Sequence, residues 1–410
     1  VLPRILEQVV NCKDELAQPY LLDVLIQVFP DEYHLATFPE VFSTMTMLRS
    51  NVRVGSILNA LLGRLLSYAD ETPEAKTEFE AANVFPQSFE CCREIIKSHD
   101  DVPAKEIIGM FGALMAFAKK LQITDAGVLD EILEALADSL ASKVPFSDAE
   151  ATKELVTLLS DPLEACELSV VLSLRSFPKV TALLDEAKRK EVALGIIDTL
   201  VKKRSTLASV DEVSTLYKFI DCVVVSHANT EEDGSGELSR EQNVVAQVVH
   251  LIKATDNNFE LQLEMLNRAF DILMEGGPRR IRYTFPALVF AGIALGRDIV
   301  LSERDTKAVD TTCKEETDGE VPVDANTEAK ADVQISFTMP KEVKSPWLKK
   351  SLHLVHKTIT ALTEVAGRHE KALKLYLEVA QLAAVANLES ITYEFFERAF
   401  GGVAVERRRE

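Results

Sequence analysis

The chain has 410 residues, 47% of them hydrophobic, and a formal net charge of −20. A single compact domain of this length is unusual, so several domains or an extended repeat array are expected. The excess of 65 acidic over 45 basic residues removes the general attraction for nucleic acid and for anionic membranes. The composition therefore predicts no nucleic-acid partner, and no direct membrane partner outside a local basic patch.

The six cysteines are spread along the chain without a C-x-x-C spacing, which favours neither a metal site nor a disulfide framework. This usage indicates a reducing, cytoplasmic setting. The longest uncharged run, Tyr283–Gly296, is too short to span a bilayer, and no secretory leader opens the chain. We therefore expect a soluble protein. Because the chain opens in a helical pattern without an initiator methionine and closes on a helix end with a charged overrun, we expect a piece of a longer protein.

Helical periodicity recurs along almost the whole chain. In Val54–Ala69 the apolar residues follow the three-and-four spacing of one buried face. Alternating strand patterns are nearly absent, and Val333–Phe337 is the one weak candidate. The sequence predicts an all-α protein of about sixteen to eighteen helices. The helical pattern returns in Ile107–Leu121, Val128–Leu140, Val192–Lys203, Val213–Val225, Val244–Lys253 and Leu373–Ala386.

The architecture follows from how such helices bury their apolar faces. Helices joined by short polar links predict stacked antiparallel pairs, each packed against its neighbours. The predicted fold is an extended α-solenoid of HEAT-like antiparallel helix pairs, and a globular multi-helix bundle is the alternative. Two polar, acidic stretches interrupt the pattern and predict disordered loops. The predicted divisions are a first stack of hairpins at 1–228, an acidic loop at 229–241, continuing hairpins at 242–300, a disordered acidic insertion at 301–340 and truncated hairpins at 341–410.

Four short sequences predict where helices begin. Ser147, Ser209 and Ser239 each stand three residues before Glu or Gln, which is the arrangement of a capping box. Asp161 is followed by Pro162, which predicts an N-cap with proline at the first helical position. Each arrangement would satisfy backbone N–H groups that a helix start leaves free.

A double glycine and a proline precede three arginines and a long apolar stretch within Gly276–Leu295. The spacing matches neither a phosphate-binding P-loop nor a dinucleotide fingerprint, and the preceding sequence is helical. Gly276 or Gly277 is expected to end that helix in a left-handed conformation, and Pro278 to begin the next one. The sequence thus predicts a helix corner, a kink at Pro286 and a buried stripe made of Ile281, Phe285, Leu288, Val289, Gly292 and Leu295.

The predicted protein-binding residues are Arg279, Arg280, Arg282 and Trp347. The arginines lie in the first turn of the predicted helix, where the helix dipole disfavours cations. They therefore call for an acidic partner, either a carboxylate of this chain or an acidic patch on another protein. Trp347, the only tryptophan, opens a later helix as either a core residue or an interface anchor.

No arrangement of residues predicts catalysis. His353 and His356 share a helix face, but no H-E-x-x-H motif or adjacent cysteine accompanies them, so no metal site is predicted. Ser235 lacks the flanking residues of a nucleophile elbow, and Cys91 and Cys92 have the pattern of packing residues. The sequence predicts no enzyme and no cofactor. The rival, a hydrolase or transferase, would show a deep pocket lined by converging polar residues.

Three stretches together resemble one family. Tyr20–Phe38, Gly276–Ala291 and Trp347–Leu362 are similar, in this order, to segments of the vacuolar protein sorting-associated protein 35 family, the large helical-solenoid subunits of retromer. The resemblance runs essentially from end to end of the chain. It implies a non-enzymatic scaffold for endosomal cargo sorting and retrograde endosome-to-Golgi transport, cytoplasmic and peripheral on endosomal membranes.

The resemblance also implies two partners. The retromer phosphoesterase-fold subunit is implied to bind the C-terminal repeats, so its contact with this chain is expected to be partial and to begin near Val244. The arrestin-like subunit is implied to bind through an N-terminal PRLYLM motif, which these residues lack. Membrane attachment is expected only through partners. An unrelated HEAT-type adaptor, such as a phosphatase scaffold or a transport receptor, is the alternative.

Overall fold

The computed structural model describes residues 2–406, except for 13, 15–16, 49–53, 73–74, 100–101, 145, 147, 226–235, 256–257 and 313–344. The chain divides into two compact units, Val1–Lys203 and Arg204–Glu410. Across the described ranges there is no β-strand, and an isolated bridge pairs Leu207 with Ile252. The all-α prediction is confirmed.

The first unit consists of thirteen α-helices in the residues that the structure describes. They are α1 (Leu2–Asn11), α2 (Ala17–Val28), α3 (Asp31–Ala36), α4 (Phe38–Thr46), α5 (Val54–Glu71), α6 (Ala75–Ala81), α7 (Val84–Ser98), α8 (Ala104–Leu121), α9 (Ala126–Leu140), α10 (Ala149–Ala165), α11 (Leu168–Ser173), α12 (Phe177–Thr181) and α13 (Glu186–Lys203).

These helices form two parallel series of contacts. In one series α2 contacts α5, α5 contacts α8, α8 contacts α10, and α10 contacts α13. In the other, α1 contacts α4, α4 contacts α7, α7 contacts α9, and α9 contacts α12. The two series meet where α8 packs against α7 and α9. Each helix of a series therefore packs against the helices before and after it in that series, as in a helical-repeat stack.

The stripe read from the sequence of α5 is the buried face of that helix. Leu58, Leu61, Leu62 and Leu65 are fully buried, and Ile57 is nearly so. α8 is enclosed more completely, because its partners α5 and α10 lie in its own series and α7 and α9 in the other. Its buried residues accordingly cover more than one face, and the fully buried ones are Ile107, Ile108, Met110, Phe111, Leu114 and Phe117.

The second unit contains the candidate site. Its described helices are α14 (Val210–Phe219), α15 (Asp221–Val224), α16 (Glu237–Leu251), α17 (Phe259–Glu275), α18 (Pro278–Thr312), α19 (Pro346–Glu364), α20 (His369–Val385) and α21 (Glu389–Glu406). α18 is central, because it contacts α16, α17, α19 and α20. The stripe predicted for it is confirmed, since Ile281, Phe285, Leu288, Val289, Gly292 and Leu295 are all buried.

The structural divisions differ from the predicted ones. The two units meet after Lys203 rather than at residue 228. α16 begins at Glu237, so the end of the predicted loop 229–241 is helical. α18 continues to Thr312, twelve residues into the predicted insertion 301–340. The rest of that insertion, and the weak strand candidate Val333–Phe337, lie outside the described residues.

Of the helix starts predicted from serine residues, one is confirmed, one is wrong and one lies outside the described residues. At Ser209 the side chain accepts a hydrogen bond from Glu212 N, and Glu212 Oε2 accepts one from Ala208 N, so this capping box is confirmed. The Ser239 prediction is wrong, because the N-cap of α16 is Gly236, three residues earlier. Ser147 lies outside the described residues, and the N-cap of α10 is Asp148, which accepts from Glu150 N.

Pro162 does not begin a helix, so that prediction is also wrong. It lies inside α10, three residues before the last residue of that helix. Proline removes one intrahelical hydrogen bond there. Leu158, Leu159 and Leu163 around it are buried. We infer that the burial of this continuous apolar face outweighs the lost hydrogen bond, a tertiary effect that the local sequence does not reveal.

Side chains from later helices satisfy carbonyl groups at the ends of earlier ones. Gln18 Nε2 donates to the carbonyl oxygen of Cys12, just after α1, at 2.9 Å. Lys203 Nζ donates to the carbonyl oxygen of Leu163, near the end of α10, at 2.6 Å. The last four carbonyls of a helix have no partner within that helix. These caps therefore join helices by hydrogen bonds as well as by apolar packing.

His34 predicts a pH dependence of stability in the first unit. It is buried, its Nε2 hydrogen-bonds the carbonyl oxygen of Ile26 at 3.2 Å, and desolvation lowers its pKa below 6.5. Arg64 lowers the pKa further, whereas the Ile26 carbonyl and Asp31 raise it. Below pH 6.5 His34 is protonated in the unfolded chain but stays neutral in the folded chain until the pH reaches its lowered pKa. The free energy of unfolding should therefore decrease as the pH decreases below 6.5.

The test compares the wild-type chain with His34→Gln in urea at about pH 7.5 and about pH 5.5. We expect the variant to lose less stability over this interval than the wild-type chain, because glutamine does not titrate. Equal losses in both proteins would contradict the assignment of the pH dependence to His34.

Candidate protein-binding site

The turn between α17 and α18 requires both of its glycines. Gly276 comes so close to α15 that a Cβ there would lie 2.7 Å from the carbonyl oxygen of Val224. Gly277 has a φ of 76°, in the left-handed region that glycine adopts without strain. Pro278 then begins α18. The predicted helix corner is confirmed, with Gly277 as the left-handed residue.

Arg280 is a buried part of this corner, with a relative exposure of 5%. Its Nη1 donates to the carbonyl oxygen of Val223 at 2.6 Å, and Gln242 Nε2 donates to the same oxygen at 2.8 Å. Val223 lies at the C-terminal end of α15, where a carbonyl lacks an intrahelical partner and a nearby cation is favourable. Arg280 therefore connects α18 to α15 in the way that Lys203 caps α10.

The other two arginines lie at the surface of the corner. Arg279 is exposed and Arg282 is half-buried. Arg282 Nε donates to the carbonyl oxygen of Arg279 at 2.9 Å, and its guanidinium lies 5.4 Å from the ring centre of Tyr283. The surface of the corner therefore carries two arginines, Arg279 exposed and Arg282 half-buried.

Trp347 is not part of the arginine corner. Ser351 Oγ donates to the carbonyl oxygen of Gly292 at 2.9 Å, and a Cβ at Gly296 would lie 3.4 Å from Leu348 Cδ1. α19 thus runs antiparallel to α18, with Trp347 near Gly296. Gly296 is sixteen residues after Arg280 in α18, which at about 1.5 Å per helical residue places the two about 24 Å apart. Trp347 is half-buried, and its ring contacts Lys350 Nζ at 4.2 Å. The four predicted residues therefore occupy two separate places.

The two histidines of the pair lie in different surroundings. His353 is exposed, whereas His356 is half-buried beside the rings of Tyr376 and Phe395, at 6.2 and 6.0 Å. Desolvation lowers the pKa of His356, and Arg398 lowers it further. Among the described residues no group of three His, Cys, Asp or Glu side chains could hold a metal ion. The surroundings of His356 are those of a neutral packing residue.

Cys91 and Cys92 are packing residues as well. Both are buried, and burial raises the pKa of the Cys91 thiol to about 12 and that of Cys92 well above its ordinary value. Because the thiolate is the reactive form, we expect iodoacetamide to leave both unmodified in the folded protein and to modify them in urea. Peptide mass spectrometry measures this directly, with half-buried Cys222 as the internal comparison. Labelling of Cys91 before Cys222 would contradict the prediction.

A cleft of about 590 Å³ lies between the end of α19, the start of α20 and α21. Its lining includes the buried Tyr376 and the exposed Glu364 and Glu394. Glu394 pairs with Arg398 at 3.5 Å. The hydroxyl of Thr363, also in the lining, donates to the carbonyl oxygen of Thr360 at 2.7 Å.

One helical stretch in the described part of the chain, Pro278–Arg304, is long and apolar enough to cross a membrane. Half of its apolar window is buried inside the protein. A central core helix has the same length and composition, and the contacts of α18 with four other helices are those of such a helix. The other half of the window faces outward.

The sequence reasoning missed the surface residues on this outward half of α18. Phe290 and Leu301 are about half exposed, at 50% and 49%, and Arg297 lies between them. The predicted stripe includes only residues of the buried face. A helical projection at 100° per residue would have found them, because they share the sector opposite that stripe.

Two series of stacked helices, cross-linked caps and candidate binding residues on the surface define a helical-repeat protein. The profile of the vacuolar protein sorting-associated protein 35 family matches residues 1–401. The chain belongs to this family, which confirms the resemblance and excludes an unrelated HEAT-type adaptor.

Individual relatives agree with the family profile. Vacuolar protein sorting-associated protein 35B of Arabidopsis thaliana is 32% identical over 403 residues, which cover 98% of this chain and 46% of that protein. Vacuolar protein sorting-associated protein 35 of Dictyostelium discoideum is 29% identical over 304 residues, covering 73% of this chain and 38% of that protein. The Schizosaccharomyces pombe protein is 24% identical over 440 residues. The chain spans less than half the length of these relatives.

Proposed function

We propose that this chain is a non-enzymatic scaffold segment of the retromer coat. The observation that carries the proposal is the family match along residues 1–401. The stacked helices support it, since such stacks offer long binding surfaces. As a scaffold, the chain links partner subunits for endosomal cargo sorting and retrograde endosome-to-Golgi transport. It acts in the cytoplasm and is peripheral on endosomal membranes, held there by its partners.

The proposed direct partner is the retromer phosphoesterase-fold subunit, bound by the second unit from about Val244 onward. Arg279 and Arg282 are the proposed contacts at the corner, because both lie at the surface and present cations to an acidic patch. Arg280 is buried beneath the surface and holds the corner in place through its hydrogen bond to the carbonyl oxygen of Val223. Trp347 is a proposed anchor at the start of α19, beside the middle of α18. The arrestin-like subunit binds elsewhere in the full-length protein, through its N-terminal motif.

Charge reversal tests the arginine contact. We expect the double variant Arg279→Glu, Arg282→Glu to bind the phosphoesterase-fold subunit at least about tenfold more weakly, because like charges then face each other. Isothermal titration calorimetry measures the affinity, and circular dichroism checks that helicity is unchanged. The matched control is Arg240→Glu, an exposed arginine of α16. Unchanged affinity in the double variant would remove both arginines from the interface.

A further inference from the structure

The outward half of α18 carries four exposed side chains in one line: Phe290, Arg297, Leu301 and Arg304. At 100° per residue they fall within a sector of about 60°. The buried residues of the same helix centre on the opposite side. Arg304 is fourteen positions after Phe290, so the line is about 21 Å long along the helix axis. We call these four residues the basic-apolar ridge.

The ridge is apolar where a soluble helix is ordinarily polar. Phe290 and Leu301 are each about half exposed. Half-buried Ile293 and Ala294 lie between them, and the small Ala294 leaves a shallow gap between Phe290 and Leu301. Such a surface of knobs and a shallow gap is the shape that another helix packs against.

The charge of the ridge is opposite to that of the chain. Two arginines lie on it in a protein with a net charge of −20. Arg304 also donates to the carbonyl oxygen of Val385 at 3.0 Å, which fixes its guanidinium at the end of α20. The nearest exposed carboxylate on α18 is Asp298, about 100° around the helix from Arg297. The charge therefore favours an acidic occupant.

We propose that the basic-apolar ridge binds an amphipathic α-helix of another protein, with apolar side chains against Phe290 and Leu301 and with Asp or Glu opposite Arg297 and Arg304. The two apolar residues are eleven positions apart, which is about three helical turns, so a helix of matching period meets both. This inference names a binding mode beyond the proposed scaffold function and does not depend on it.

A membrane surface is the competing occupant, since basic and apolar side chains also suit anionic lipid. The net charge of −20 opposes the approach of such a membrane. The observations therefore favour the acidic helix, and the experiment separates the two.

The test selects peptides of about 20 residues from a random displayed library against the whole chain, a length at which helices form in isolation. We expect enriched peptides to carry apolar residues at three-and-four spacing flanked by Asp and Glu. Fluorescence anisotropy then measures their affinity for the variants Leu301→Ser and Arg297→Glu. Each variant should weaken binding at least about tenfold.

The controls are Val28→Ser and Arg240→Glu, which make corresponding changes at exposed positions away from the ridge and should leave affinity unchanged. Failure to enrich peptides, enrichment of basic ones, or equal binding by all variants would overturn the inference. Sedimentation with phosphatidylcholine–phosphatidylserine vesicles is run in parallel. Vesicle binding that Leu301→Ser abolishes would overturn it in favour of a membrane. A chain that binds the peptides but not the retromer subunits would refute the scaffold proposal alone.

Discussion

Replacement of Arg280 by alanine is expected to lower the free energy of unfolding of the second unit by about 2 kcal/mol. The guanidinium is buried and donates to the carbonyl oxygen of Val223, so its removal takes a charged hydrogen bond from the corner. Gln242 still donates to that oxygen, which keeps the carbonyl from being left without a partner. Urea unfolding followed by the fluorescence of Trp347, the only tryptophan, measures the change in this unit.

The matched control for this prediction is Arg279→Ala, one residue earlier. Arg279 is exposed, so its replacement should change the free energy of unfolding by no more than about 0.5 kcal/mol. If both substitutions had the same effect, the corner would not depend on the buried guanidinium. The pair therefore separates the structural arginine from the surface ones.

The largest expected loss of stability comes from Phe285→Ala. Phe285 is fully buried on the inner side of α18, and its ring centre lies 5.3 Å from that of Phe270. Truncation of a buried phenylalanine leaves a cavity and costs about 3 to 5 kcal/mol. The same urea titration measures the loss.

Phe290→Ala makes the same chemical change on the outer side of the same helix. Because Phe290 is half exposed, we expect a loss of at most about 1 kcal/mol. Similar losses for the two phenylalanines would mean that α18 is buried on both sides and that the basic-apolar ridge is not a free surface. A small loss at Phe290, together with weakened peptide binding, would show that the ridge acts in recognition rather than in folding.

The helical character of the chain was predictable because it depends on local patterns. The spacing of Leu58, Leu61, Leu62 and Leu65 identifies the buried face of α5 without knowledge of its partners. The capping box at Ser209 is likewise local, since all its hydrogen bonds lie within four residues. Boundaries that depend on distant packing were not predictable, such as the passage of α10 through Pro162.

The candidate site shows the same division. The glycines and the proline predicted the corner correctly, because each has a backbone preference that acts locally. The difference between Arg279 and Arg280 could not be read from the sequence, since it depends on Val223, 57 residues from Arg280 along the chain. The separation of Trp347 from the arginines depends likewise on the antiparallel packing of α18 and α19. Tertiary contacts, which periodicity does not encode, decided which predicted residues lie together.

The central claim is that this chain is a scaffold segment that binds a retromer subunit, and calorimetric titration with the purified phosphoesterase-fold subunit tests it most directly. The arrestin-like subunit is titrated in parallel as the internal comparison. We expect saturable binding to the phosphoesterase-fold subunit and none to the arrestin-like subunit, whose proposed motif is not in these residues. Absence of binding to the phosphoesterase-fold subunit by the folded chain would contradict the claim.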